Sequence, residues 1–111
     1  MRRWGGAGPQ VVLVHGLVAS SRTWWRVGAA LAERGWSVLA VDLPGHGAAP
    51  PLDATLDLRG LAQALVHTLD AAGVAQPVPV LWGHSLGALA VMEAARRAPG
   101  LAERVVLEEP P

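Results

Sequence analysis

Cysteine, lysine, phenylalanine, tyrosine and isoleucine are all missing from this 111-residue chain. Without cysteine there is neither a disulfide staple nor a thiolate nucleophile, and redox chemistry says nothing about compartment. With lysine absent, nine arginines carry all the positive charge and nine acidic residues cancel it. A net charge of zero lacks the basic footprint of a nucleic-acid binder, which excludes nucleic acid as a partner. Long apolar runs are missing too. His15, Asp42, His84 and regular glycines and prolines interrupt every stretch before the roughly 18 to 20 residues a membrane span needs. Val11 to Val14 follows Met1-Arg2-Arg3 but is too short for the core of a secretory signal. What remains is 51% hydrophobic and 16% charged, enough apolar material for one small buried core.

Short Val/Leu runs alternate with longer stretches whose apolar residues lie three and four apart, and Gly, Pro or Asp separates them. Val11 to His15 reads as a central parallel strand buried on both faces. Ser20 or Ser21 caps a helix with Trp24, Val27 and Leu31 on one face, ending at Gly35. Trp36 to Val41 is a second strand. Asp42-Leu43-Pro44-Gly45-His46-Gly47 and the following Ala48-Ala49-Pro50-Pro51 form a loop. Thr55 or Asp57 caps a second helix striped by Leu58, Leu61, Leu65 and Leu69 and closed by Gly73. Val78 to Trp82 is a third strand, with Pro79 near its start. After Gly83 to Gly87 an alanine-rich helix runs to about Ala98, and Arg104 to Leu107 is a fourth strand. Four strands and three helices in this order predict an α/β fold, a mostly parallel sheet with helices on both faces.

Three segments carry candidate chemistry. Gly83-His84-Ser85-Leu86-Gly87 fits G-x-S-x-G between a strand and a helix, where small flanking residues let the chain turn sharply and present the Ser85 hydroxyl. The free N–H groups at the start of the next helix favour a nearby oxyanion. His15-Gly16-Leu17 ends the first strand, and Asp42 to Gly47 follows the second. Plainer roles fit the other candidates. His15 reads as a hydrogen-bonded residue at a strand end, His46 as a loop residue and His67 as a surface histidine opposite the leucine stripe. Asp42 reads as a turn former taking backbone N–H groups, and the tryptophans as core, with Trp82 also placed to line a pocket.

In this order, His-Gly, Asp-x-Pro-Gly-His-Gly and Gly-His-Ser-x-Gly resemble the α/β-hydrolase superfamily, in its serine ester-hydrolase-like branch, over the chain from about Gln10. The resemblance implies Ser85 as nucleophile, with the Leu86 and Leu17 backbone N–H groups as oxyanion donors. Gly83, Gly87, His84, His15, Gly16 and Asp42 would support them. It implies a small acyl substrate such as a carboxylic ester, no cofactor, no metal and a cytoplasmic setting. A serine at the elbow speaks against the dehalogenase-like branch, which places an aspartate there.

The family order is nucleophile, acid, then histidine, yet no histidine follows His84 in this chain. Glu108 and Glu109 end the last strand, where a minority of the family places its acid. The catalytic acid and base are therefore unassigned. Arg2 to Gly6 resembles the tail of a preceding strand. The resemblance then reads residues 1–111 as a single partial domain, truncated before the later strands, cap and histidine loop, with doubtful activity alone. A non-catalytic α/β binding module or decayed fragment is one alternative. An acyltransferase or C–C bond hydrolase of the same superfamily is another. Trp36 to Val41 and Arg104 to Leu107 are expected as outer strands lacking neighbours, so self-association through exposed sheet edges is also expected.

Overall fold

The computed structural model describes residues 1–16, 19–44 and 57–110. Its sheet has five strands: β1 (Arg2–Trp4), β2 (Gln10–Val14), β3 (Ser37–Val41), β4 (Val78–His84) and β5 (Ala102–Glu108), in the spatial order β1-β3-β2-β4-β5. The central strand β2 runs parallel to both neighbours, with Leu13 opposite Ala40 of β3 and Trp82 of β4. Its residues Val11 to Val14 are all buried, which is why they are apolar without a polar alternation.

The period of two within the strands divides that core between two layers. Val12, Val14, Leu39, Val41 and Leu81 point to one face and pack with α2 (Leu58–Ala71) and α3 (Leu86–Arg97). Val11, Leu13, Val38 and Ala40 point to the other, where Trp24, Val27 and Leu31 close over them. The helix on this side is α1 (Trp25–Glu33), entered through a 3-10 turn over Ser21–Trp24 whose Ser20 hydroxyl accepts the Arg22 N–H at 3.2 Å. For α2 the cap is Asp57, whose carboxylate accepts the Gly60 N–H at 2.9 Å. Leu61, Leu65 and Leu69 are its buried stripe, each worth roughly 1.5–3 kcal/mol relative to exposure. In the last turn of α3, Arg96 and Arg97 both reach Glu93 at 2.7 Å and complement the helix dipole.

Two sequence expectations need correction at the sheet edges. Arg2–Trp4 forms a fifth strand, antiparallel to β3 with Arg3 opposite Leu39, so β3 is an internal strand. The sequence resemblance already read Arg2 to Gly6 as the tail of a strand, but not its partner, because the pairing to β3 is non-local. At the other side β5 is longer than the predicted Arg104 to Leu107 and is an edge among the described residues. It is also not buried: Glu103 through Leu107 are exposed. Its place at the edge agrees with the outer strand expected from sequence, and the apolar Val105-Val106-Leu107 run is exposed because neither face of β5 is fully covered among the described residues.

Candidate active site

β4 ends at His84 and α3 begins at Leu86, so the chain reverses at Ser85 alone. Its backbone stands at φ 54°, ψ −116°, a region that non-glycine residues avoid. Backbone hydrogen bonds on both sides hold it there. The Ser85 N–H donates to the Glu108 carbonyl at 2.9 Å, extending the β4–β5 ladder, and its own carbonyl accepts the Ala88 N–H at 2.9 Å in the first turn of α3. The side chain makes no helix-capping bond. Ser85 thus stands at a helix start whose first N–H groups, Leu86 among them, have no partner within the helix.

Close backbone approaches explain the glycines around it. A β-carbon at Gly83 would collide with the backbone of Gly87 and Ala88, and one at Gly87 would collide with the carbonyls of Val14 and His15. A β-carbon at Gly16 would stand 3.1 Å from Ser85 Cβ. Only hydrogen at Gly83 and Gly87 lets the end of β2, the end of β4 and the start of α3 meet around Ser85, and Gly16 adds a tight approach to the same turn. Leu17, the other oxyanion donor in the sequence reading, lies outside the described residues, as do the loop from Gly45 with His46 and the alternative cap Thr55.

His15 is buried and committed. The Leu43 N–H donates to its Nε2 at 2.9 Å, so that nitrogen is unprotonated, and Nδ1 carries the hydrogen that is donated to the Gly16 carbonyl at 2.7 Å. The imidazole clamps the loop after β2 to the loop after β3, which is a structural task rather than proton transfer. His84 is half-buried at the end of β4. Its Nε2 lies 3.9 Å from Glu108 and 3.6 Å from Glu109, an exposed group of charges at the end of β5. Among the described residues no imidazole is hydrogen-bonded to the Ser85 hydroxyl.

Asp42 takes up more than its own turn. Its carboxylate accepts the Ser21 N–H at 2.7 Å, the Ser21 hydroxyl at 3.2 Å and the N-terminal ammonium at 2.8 Å. Burial pushes its pKa up, but these hydrogen bonds and the ammonium charge together outweigh burial and hold it below its ordinary value. The result ties the end of β3 to the entry of α1, a link that no local pattern joining Ser21 to Asp42 reveals. His67 is exposed on α2, and Trp82 packs edge-to-face on Trp24 in the core at 5.8 Å between ring centroids. Both indole N–H groups are buried without a hydrogen-bond partner among the described residues. Edge-to-face stacking lets a ring face receive the positive edge of its neighbour.

A cleft of about 230 Å³ opens at the C-terminal ends of β2, β4 and β5, lined by His15, Thr23, Trp24, Val27, His84 and Glu108. Sequence reading did not find it, because its walls come from four separated segments. A larger cleft of about 330 Å³ between α2 and the far end of α3 contains no residue of the Ser85 turn. Ligand crevices in open α/β sheets lie beyond the carboxyl ends of the strands, and of these two clefts among the described residues the smaller is the one at that end, bordering the Ser85 turn through His84.

Residues 11–111 match the model of the Alpha/beta hydrolase family. A pimeloyl-[acyl-carrier protein] methyl ester esterase of Methylococcus capsulatus is 40% identical over 103 residues, which are 92% of this chain and 37% of that protein. A bifunctional epoxide hydrolase of Sus scrofa is 39% identical over 88 residues, 78% of this chain and 16% of that one. A solved hydrolase from Pseudomonas aeruginosa superposes with a TM-score of 0.85 at 31% identity, covering 96% of this chain and 39% of the other. The chain thus spans well under half the length of each. Among the described residues no helix is long and apolar enough to cross a membrane.

Proposed function

The chain belongs to the alpha/beta hydrolase family, and on that premise we propose that it is the nucleophile-bearing part of a serine hydrolase acting on carboxylic esters or similar acyl compounds. The observation that carries this reading is Ser85 at the strand-to-helix turn, with its strained backbone and its uncapped side chain. The Ser85 Oγ attacks the acyl carbonyl carbon and passes its proton to a base. The carbonyl oxygen becomes an oxyanion beside the Leu86 N–H, with Leu17 as second donor. Collapse expels the alcohol, which takes up a proton, and leaves an acyl-Ser85 ester that water cleaves to acid and free serine. Metal and organic cofactors have no step in this scheme.

His15 is committed to Gly16 and Leu43, and no described imidazole is bonded to Ser85. Acylation by an activated ester should therefore be measurable while turnover stays slow. An oxyanion site without its base still leaves roughly a thousandfold acceleration over water. The test is to treat the chain with an aryl acyl ester and with a fluorophosphonate, then locate the adduct by peptide mass spectrometry. An adduct on Ser85, absent from Ser85→Ala, is the expected result. Labelling that persists unchanged in Ser85→Ala would overturn the assignment. Fast turnover lost in that variant would show that a base outside the described contacts serves Ser85.

A further inference from the structure

The charges of this neutral chain are unevenly placed. Five of its nine arginines lie before Asp42, with Glu33 as the single acidic residue among them. Three of the five gather around the start of α1. Arg22 stands in the 3-10 turn and Arg26 in the first turn of the helix, next to Trp25. Arg2 shares its face of β1 with Trp4, which packs on Gly28 of α1, and lies nearer the Asp42 end of the sheet. All three arginines are exposed, and none has a carboxylate partner among the described residues. Trp25 is 57% exposed, and the Arg26 guanidinium lies 4.8 Å from its ring centroid. Helix stability does not account for these charges. A helix is stabilised by acidic residues in its first turn and basic ones in its last, whereas α1 has Arg26 and no acid in the first turn and ends on Glu33. The Ser85 cleft does not account for them either. Thr23 and Val27 border that cleft, while Trp25, two residues from each, faces the opposite flank of α1. Ala32, two turns further along that flank, approaches Gly5 just beyond β1, at the side of the sheet away from β5.

We propose that this patch attaches the chain to an anionic lipid surface, with the Trp25 indole at headgroup depth and Arg2, Arg22 and Arg26 on the lipid phosphates. An indole settles at that depth because its ring is apolar and its N–H is polar, and an arginine lays its stem along the same layer while its guanidinium reaches phosphate. An acidic protein would need carboxylates placed to match three arginines that no ion pair holds in position. A lipid surface presents its negative charge continuously, with an apolar layer beneath it for the ring. The Asp42 carboxylate accepts the Ser21 N–H at the C-terminal end of β3, so the start of α1 lies at the end of the sheet where the chain turns at Ser85. Attachment through the patch holds that end of the sheet beside the lipid.

Flotation of the whole chain with mixed phosphatidylcholine/phosphatidylglycerol vesicles, against vesicles of phosphatidylcholine alone, tests this. Binding is expected to the mixed vesicles only, and it should weaken as salt rises. Arg2→Gln, Arg22→Gln and Arg26→Gln should each lower the partition about fivefold, and Trp25→Ala about tenfold. Arg59→Gln/Arg104→Gln removes as much charge as Arg22→Gln/Arg26→Gln from exposed positions elsewhere and should leave the partition unchanged. Far-ultraviolet circular dichroism and thermal melts check that each variant is folded; if Trp25→Ala unfolds, Trp25→Gln takes its place. No flotation with the mixed vesicles would overturn the proposal. So would equal binding to phosphatidylcholine alone, equal losses from the two arginine pairs, or a partition indifferent to the change at Trp25. Binding to soluble polyglutamate without binding to vesicles would overturn it in favour of an acidic protein. Vesicle binding is read without turnover, so its failure leaves the Ser85 assignment standing, and a missing adduct on Ser85 leaves the patch standing.

Discussion

Replacing Ser85 by glycine should stabilise the fold relative to replacing it by alanine. Both changes remove the hydroxyl, and no cap is lost because the side chain makes no helix-capping bond. They differ only at Cβ. Alanine keeps the steric conflict of a backbone at φ 54°, ψ −116°, whereas glycine adopts positive φ freely. A residue held in such a region stores about 1–3 kcal/mol. Glycine returns about 0.5–1 kcal/mol of this through the greater entropy of its unfolded chain. The net expectation is that Ser85→Gly is more stable than Ser85→Ala by about 1 kcal/mol. With a urea m-value near 1–1.5 kcal/mol/M for a chain of this size, the midpoint should move upward by roughly 0.7–1 M. Equilibrium urea unfolding followed by tryptophan fluorescence measures it directly. Equal midpoints, or a lower one for glycine, would mean that the turn is not strained and that the reasoning for the serine's poised backbone fails.

Gly87→Ala should destabilise by at least about 2 kcal/mol, since the new carbon meets the rigid carbonyls of Val14 and His15 rather than a flexible side chain, and a thermal melt would show it. His15→Phe leaves the Leu43 N–H and the Gly16 carbonyl without their imidazole partner and should cost about 2–4 kcal/mol by denaturant titration, although no proton transfer is removed. For Asp42 the sign follows from a folded-state pKa held below the ordinary one: the stability it contributes is complete above the ordinary carboxylate pKa and declines as pH falls towards the lowered value. Urea midpoints measured between pH 2 and 6 should therefore fall more steeply for the wild type than for Asp42→Asn, and parallel curves would refute the link between Asp42 and Ser21.

Helix and strand order was legible because burial on both faces writes itself locally. The unbroken Val11 to Val14 run and the Leu61, Leu65, Leu69 stripe each have the period of the element they form, and Asp57 precedes its helix with a side chain suited to capping. The Ser85 turn was legible for the same reason, since Gly83 and Gly87 stand two residues either side of the reversal they permit. The three ordered motifs also pointed to the family. None of this required knowing which strand lies beside which.

Tertiary structure alone decided the rest. That Arg2–Trp4 guards the outer edge of β3 depends on an antiparallel pairing across more than thirty residues of sequence, which no local pattern encodes. That Gly83 and Gly87 must both be glycine is decided by each other and by the carbonyls at the end of β2, and the Asp42 to Ser21 bond is decided by two elements meeting at one end of the sheet. Above all, Val105-Val106-Leu107 has the composition of a buried strand and the exposure of an edge. Hydrophobic sequence states what a segment gains by being covered; only the packing of the whole chain determines whether anything covers it.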